Sequence, residues 1–248
     1  FKGSITQAKL DEQRGVVQNE KRQGENEPYG KVFEMILKQL FPPDHPYSWE
    51  AIGSMEDLNA ASLDDVRHWF ETWYGPNNAV VVIAGDVSSD EAFAKAEKYF
   101  GDIPPGPAAT RLEEWIPAHA QPRRQQMQDR VAQARLYMAW TGPRWGTRDA
   151  HQLELAAAVL AGDKNSRLYQ RLVYKDQLAS DIEFGPLALE IAGITYLQAS
   201  AQPGVSLAQI ESAITEELER FRREGPTAKE LERVQAQQLS AFLRGIEK

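Results

Sequence analysis

Residues that could bind a metal or carry out acid–base chemistry are few in this sequence and widely spaced. Cysteine is absent, which excludes a thiolate metal site as well as disulfides. The four histidines are His45, His68, His119 and His151. No two of them are four residues apart, so no helix can present a histidine pair to a metal. Judged from its neighbours alone, Glu20 is typical of a solvated helix residue, because it lies in the polar run 18–22.

The composition predicts a soluble globular protein with an acidic surface. Of 248 residues, 42% are hydrophobic and 26% are charged, which is enough for both a core and a polar surface. A net charge of −8 argues against nucleic acid as a partner, because phosphate-binding proteins usually carry a basic face. The longest apolar run, residues 79–85, is too short for a transmembrane segment. The compartment is left open, since these features fit a periplasmic and a cytoplasmic protein equally.

The apolar pattern predicts helices alternating with short strands. The run Ala79–Ala84 is short, continuous and β-branched, which predicts a buried strand. Further strands are predicted at 125–130, 135–141, 178–184 and 191–201, the last two as a hairpin-like pair. Ser206 with Gln209, and Thr227 with Glu230, have the spacing of capping boxes and predict the starts of two long helices.

We expect an α+β fold made of two related domains, each a mixed sheet packed with helices. A proline-rich stretch without clear periodicity begins at Asp102 and predicts the connection between them. The expected boundaries are 1–106 for the first domain, 107–122 for the linker and 123–248 for the second domain. The chain starts at Phe1 without methionine and ends at Lys248 inside a predicted helix, so both ends are expected to be cuts. The first domain would then be incomplete at its N-terminal side, and its exposed sheet edge could pair with another copy.

Three stretches resemble the pitrilysin/insulinase family of zinc metallopeptidases, which are inverzincins. The first is Val16–Gly30, with V-V-Q-N-E-K-R-Q followed by E-N-E-P-Y-G, and it resembles the family's zinc-binding helix and the loop that follows. The second, Asp57–Val87, resembles the end of the family's first domain. The third, Leu153–Ile182, centred on G-D-K-N-S-R-L, is similar to the start of its second domain. The likeness keeps the family's order along nearly the whole chain.

The resemblance implies a zinc site of which this chain holds one ligand. Members take two histidines and a glutamate base from an H-x-x-E-H helix, and a glutamate further downstream completes the site. By the match that downstream ligand is Glu20. Such a site leaves one position for a water that the zinc activates and the motif glutamate deprotonates. The H-x-x-E-H motif would lie upstream of Phe1, so we expect no catalytic residue within this chain and no activity from it alone.

Two positions depart from the family's pattern. Many members carry an acidic residue seven positions before the downstream ligand, where this chain has Gln13. Glutamine keeps the hydrogen bonding and loses the charge, so Gln13 could support the metal site by hydrogen bonding or could simply be an exposed amide. Active members hold substrate with an arginine and a tyrosine, but Val173 and Ser180 stand at the matching places. The substrate-binding residues are therefore unknown, and a further domain or a partner subunit would have to supply them.

These observations predict part of a zinc-dependent metalloendopeptidase that acts on peptides or unfolded polypeptides. Zinc would be the cofactor of the full-length protein and would not be bound by this chain alone. The expected partners are the remaining domains of the same chain or a homologous subunit. The alternative is a noncatalytic structural or assembly subunit of the same family, because the deciding motif is not among these residues. A plain peptide-binding module would differ from both by binding unstructured peptides tightly without further domains.

Overall fold

The computed structural model describes residues 5–247, which form two compact units. The first unit contains the chain up to Glu27 together with Glu50–Leu112, and the second contains Pro28–Trp49 together with the chain from Glu113 onward. The regular elements in chain order are α1 (Gln7–Asn26), α2 (Val32–Leu40), α3 (Met55–Ala60), α4 (Leu63–Trp73), α5 (Ser89–Phe100), β1 (Arg135–Gly142), α6 (Arg148–Ala161), α7 (Arg167–Tyr169), β2 (Ala179–Ala188), β3 (Gly193–Ala201), α8 (Leu207–Glu224) and α9 (Ala228–Ile246). The expected α+β class is confirmed.

The first unit has helices with clear starts and few buried side chains. Ser62 forms a capping box with Asp65 at the start of α4, and Ser88 accepts a hydrogen bond from the backbone of Glu91 at the start of α5. Between Glu50 and Leu112, Gly75 is the one buried residue. Burial of apolar side chains therefore contributes little to holding this unit together, and polar contacts and helix caps carry more of its structure.

The predicted buried strand at Ala79–Ala84 is wrong for this unit. The segment has no regular secondary structure, and Val80 and Val82 are 89% and 83% exposed. A strand exists only where a neighbouring strand pairs with its backbone, and a buried one needs material on both faces. None of the described residues pairs with this segment. Its β-branched pattern fits a strand, but its partners are not among them.

The second unit is built on a three-stranded antiparallel sheet in the order β1–β3–β2. The predicted hairpin-like pair is confirmed as β2 and β3, whereas the strand expected at 125–130 is wrong, because that stretch has no regular structure. All of the pairings are antiparallel, so this sheet is not the mixed sheet expected from the sequence. Pro186 lies in β2 at an edge of the sheet, where a missing backbone N–H is tolerated.

Alternation along the strands gives this sheet a separate core on each face. In the register of the sheet, Met138 is opposite Leu197, and both side chains contact the larger core beneath α7 and α8. Thr141 is opposite Ile194, and Ile194 packs on the other face against α2. The larger core contains Leu160, Leu168, Leu172, Ala179, Ile182, Leu197, Ala199, Ala201, Ile210, Ala213 and Ile214.

Helix caps and one ion network close the second unit. Both predicted capping boxes are present, at Ser206 with Gln209 for α8 and at Thr227 with Glu230 for α9. After α7 the chain continues as a π-helical turn over Gln170–Lys175. None of the helices in the described part of the chain is both long enough and apolar enough to span a membrane.

Candidate metal-ligand helix

The helix that carries Glu20 begins and ends for local reasons. Thr6 caps α1 by accepting a hydrogen bond from the backbone N–H of Lys9 at 3.4 Å. The helix stops before Glu27, which is extended (ψ 148°) because the following Pro28 disfavours the helical conformation of the residue before it. Neither proline nor a β-branched run longer than Val16-Val17 interrupts the 20 residues between these points. The sequence thus predicts one continuous helix, and that helix places Glu20 near its carboxyl end.

One side of α1 is held by polar contacts with the residues that end α3. The guanidinium of Arg14 donates hydrogen bonds to the carbonyl oxygens of Leu58, Asn59 and Ala61, at 3.0, 2.6 and 2.8 Å. One turn later, Gln18 Nε2 donates to Asn59 Oδ1 at 2.7 Å. These contacts join residues that are more than 40 positions apart in the sequence. They fix which side of α1 faces the rest of its unit.

Lys21 is on the same side of the helix and is unusually buried for a lysine. Its side chain is 7% exposed, and its ammonium lies 3.1 Å from a carboxylate oxygen of Glu25, four residues on. A buried ammonium needs such a partner, because removing its charge from water is unfavourable. Lys21 is also the one buried residue of α1. The docked side of the helix is therefore polar, with Arg14, Gln18 and Lys21 at its centre.

Glu20 lies on a different side of α1, and it is exposed. With about 100° between successive helical residues, Glu20 is roughly 120° around the axis from Arg14 and roughly 160° from Gln18. Among the residues described, the Glu20 carboxylate has neither a hydrogen bond nor an ion pair. Gln13 and Val16 are on the same side and are also exposed, Val16 by 53%. This side thus combines a free carboxylate, an amide and an apolar side chain.

The described residues supply one position of a metal site and do not complete it. Between residues 5 and 247, no three His, Asp or Glu side chains come together so that they could hold a metal ion. An unpartnered carboxylate on a docked helix suits a single ligand, because no competing cation neutralises it. A zinc site needs further ligands, and neutral imidazoles would be the expected ones. Glu20 therefore fits one ligand position, and the structure supplies no others.

His45 is excluded as a metal ligand because both of its ring nitrogens are used within the fold. It is fully buried, Nδ1 accepts a hydrogen bond from the backbone N–H of Tyr47 at 2.9 Å, and Nε2 lies 3.0 Å from the carbonyl oxygen of Trp115. Since Nδ1 accepts, Nε2 carries the proton and donates. The ring also stacks on Phe41 with a centroid separation of 4.4 Å. His45 is a structural residue that joins the turn after α2 to the segment around Trp115.

Val173 and Ser180, which stand where active relatives would hold substrate, serve structural roles here. Val173 packs against the larger core of the second unit. The Ser180 hydroxyl donates to Asp181 Oδ2 at 3.0 Å and lies 3.4 Å from the carbonyl oxygen of Ser200. Neither side chain carries a positive charge or a phenol that could hold a peptide backbone and its developing oxyanion. The second unit thus lacks this pair at the expected positions.

Arg14 is the residue that sequence reasoning overlooked. Nothing near it in the sequence marks it as special, because its acceptors are backbone carbonyls about 45 residues away. A local signal was nevertheless available. Arginine on a predicted exposed helix is usually solvated, but here it is followed at helical spacing by Gln18 and Lys21, so one side of α1 carries long donors and almost no apolar residues.

Comparisons with known proteins agree with this geometry. The family model described as the peptidase M16 inactive domain matches residues 60–238, so α1 and Glu20 are outside the matched region. The chain is 26% identical over 244 residues to the zinc protease PqqE of Helicobacter pylori, covering 95% of this chain and 54% of that relative. It is 25% identical over 247 residues to the uncharacterized zinc protease YmxG of Bacillus subtilis, covering 100% of this chain and 59% of that relative.

The fold comparison points the same way. The crystal structure of a peptidase M16 inactive domain from Pseudomonas fluorescens superposes with a TM-score of 0.84 at 19% identity, over 97% of this chain and 57% of that structure. This chain spans about half the length of the curated relatives that it matches. Because the family model covers well over half of the residues, the chain belongs to the peptidase M16 family, of the pitrilysin/insulinase type that its motifs resemble.

Proposed function

We propose that this chain is the part of a zinc-dependent metalloendopeptidase that contributes the carboxylate ligand Glu20 and a noncatalytic domain, and that it does not hydrolyse peptides alone. The observation that carries the proposal is the position of Glu20. Its carboxylate is exposed and unpartnered among the described residues, on a helix whose other side is held by Arg14 and Gln18. The names of the relatives as zinc proteases support zinc as the metal.

The chemistry of the proposal assigns each group a separate task. Zinc, when bound, would supply a Lewis acid that polarises the scissile carbonyl and activates water. Glu20 would contribute negative charge and one oxygen ligand, and two imidazoles from elsewhere in the full-length protein would complete the site. Gln13 is exposed on the same side of α1 and could donate a hydrogen bond to a ligand, but it has no charge to move a proton. The general base would therefore come from outside this chain.

Peptides or unfolded polypeptides are the proposed substrates of the full-length enzyme, and its further domains or a homologous subunit are the proposed partners of this chain. The second unit lacks an arginine and a tyrosine at the positions of Val173 and Ser180. Substrate would therefore be held by another part of the enzyme. The description of the matching family model as an inactive domain supports this division of labour.

The test is a Glu20→Gln variant of the full-length protein, with Glu12→Gln as the matched control. Glu12 is also an exposed glutamate of α1. Loss of a metal ligand should lower zinc affinity by more than about 100-fold and abolish most peptide hydrolysis, whereas the control should behave like the unmodified protein. Metal analysis after dialysis and a fluorogenic peptide assay measure the two effects. Full zinc and full turnover in Glu20→Gln would show that Glu20 is not a ligand.

A second candidate function is a noncatalytic structural or assembly subunit of the same family. The family model and the solved structure from Pseudomonas fluorescens are both described as an inactive domain, which favours this reading. The two candidates differ upstream of Phe1. A full-length sequence with H-x-x-E-H there, together with one equivalent of bound zinc, supports the peptidase. A full-length sequence without the motif and a protein without zinc after purification support the subunit.

A further inference from the structure

The contact between Arg14 and the end of α3 is a specific and saturated one. The last carbonyl groups of a helix have no partners within the helix, and the positive fork of a guanidinium matches them in charge and geometry. Arg14 donates to the carbonyls of Leu58, Asn59 and Ala61 at once, from Nη1 and Nη2. Its side chain is 20% exposed, so water competes only weakly for these hydrogen bonds.

A second contact one turn along α1 converts this attachment into a rotational lock. Gln18 Nε2 donates to Asn59 Oδ1 at 2.7 Å. A helix attached at a single residue can still turn about its axis, whereas attachment at two residues one turn apart on the same side prevents that rotation. Both contacts end on the same short stretch, which closes α3.

Apolar packing cannot replace this lock, because α1 has almost none. Its one buried residue is Lys21, which is itself charged. In most helices an apolar stripe sets the orientation, and polar contacts adjust it. Here the hydrogen bonds of Arg14 and Gln18 decide which way Glu20 faces. A rotation of about 100° would move the carboxylate by the width of one residue position and would present a neighbouring side chain instead.

We infer that Arg14 is a positioning residue for Glu20 and that Gln18 is its second attachment. The inference rests on the proposed function, because it assigns Arg14 to the orientation of a metal ligand. Arg14 touches neither the metal nor the substrate. It acts through α1, so its loss should weaken zinc binding without removing a ligand.

The experiment compares zinc affinity in variants of the full-length protein by chelator competition, well below their melting temperatures. Arg14→Met removes all of the donors and keeps the length of the side chain, and Arg14→Lys keeps the charge but loses the fork. We expect Arg14→Met to weaken zinc binding by about 10-fold or more, as for other residues that orient metal ligands, with partial recovery in Arg14→Lys. Arg67→Met is the control, because Arg67 is on α4 and pairs only with the exposed Asp64.

Further variants keep the inference separable from folding and from the proposed function. Gln18→Met disturbs α1 less and should weaken zinc binding about 2- to 5-fold, so it decides the outcome if Arg14→Met fails to fold. A lower melting temperature with unchanged zinc affinity in both variants would overturn the inference, because Arg14 would then only stabilise α3. If Glu20→Gln also binds zinc normally, the proposed function fails and the inference fails with it. If Glu20→Gln alone loses zinc, only the positioning role is wrong.

Discussion

Arg167 and Glu230 form a two-pronged ion pair that joins the start of α7 to the start of α9. Arg167 Nε and Nη2 each donate to a different carboxylate oxygen of Glu230 at 2.7 Å. The same carboxylate accepts the backbone N–H of Thr227 at 2.7 Å, as the reciprocal half of the capping box. One side chain therefore caps a helix and binds a second element 63 residues away in sequence.

This arrangement makes the second unit sensitive to acid. The hydrogen bonds from Arg167, opposed by partial burial and aided by the backbone N–H of Thr227, lower the pKa of Glu230 from 4.5 to about 2. A group whose pKa is lowered on folding stabilises the protein fully above its unfolded pKa, and that contribution is lost as the pH falls toward the folded pKa. The window for Glu230 is therefore pH 4.5 down to about 2.

We expect Glu230→Gln to be less stable than the unmodified protein at pH 7, by on the order of 2 kcal/mol after allowance for solvent screening. The difference should shrink between pH 4.5 and 2, because the unmodified protein loses its advantage there. Urea unfolding of the second unit at pH 7, 4 and 3 measures this. A difference that stays constant over that range would show that Glu230 does not titrate as described.

Replacing Arg167 should destabilise the second unit more than replacing an exposed arginine. Glu217, which is 2% exposed, has Arg167 at 4.0 Å and Arg220 at 2.7 Å, so Arg167→Met leaves a buried carboxylate with one cation fewer. Breaking such a buried set costs about 3 kcal/mol. The matched control is Arg222→Met, whose pair with Glu219 is solvent-exposed and worth less than about 1 kcal/mol. Equal free energies of unfolding for the two variants would contradict the prediction.

The parts of the fold that local patterns predicted are those that depend on residues close in sequence. The capping boxes of α8 and α9 need only four consecutive residues each, and the β2–β3 pair needs two apolar runs joined by a short loop. Position 79–84 failed for the opposite reason. A β-branched run states that a segment can be a strand, but whether it is buried depends on partners that the run does not contain.

The candidate site was predictable to the same limited degree. Glu20 has no local feature that marks it, so its assignment depends entirely on resemblance, and its exposure could be seen only in the structure. The orientation of α1 depends on hydrogen bonds from Arg14 to carbonyl groups 44 to 47 residues away. No periodicity within α1 encodes such a contact. Long-range polar contacts of this kind set the direction of the ligand, and they are the part that sequence patterns miss.

His45 should be important for stability and irrelevant to metal binding. His45→Ala removes the ring that contacts Phe41 and Trp115 and leaves the Tyr47 N–H without its acceptor. We expect a loss of about 3 kcal/mol in the free energy of unfolding. The control is His151→Ala, an exposed histidine for which we expect a change within about 0.5 kcal/mol. Chemical unfolding of both variants measures the effect, and equal stabilities would contradict the structural role.

The exposed segment Ala79–Ala84 should make the isolated chain associate with itself. Val80 and Val82 are 89% and 83% exposed in a β-branched run that no described strand pairs with, and such a run is a template for pairing with another chain. A Val80→Asp/Val82→Asp variant should weaken association at least about 10-fold, because charges at a strand edge oppose pairing. Sedimentation velocity over a range of concentrations measures this. Leu112→Asp is the control, since Leu112 is also exposed but is not in that run. A chain that is strictly monomeric at every concentration would contradict the prediction, because the run would then have no tendency to pair.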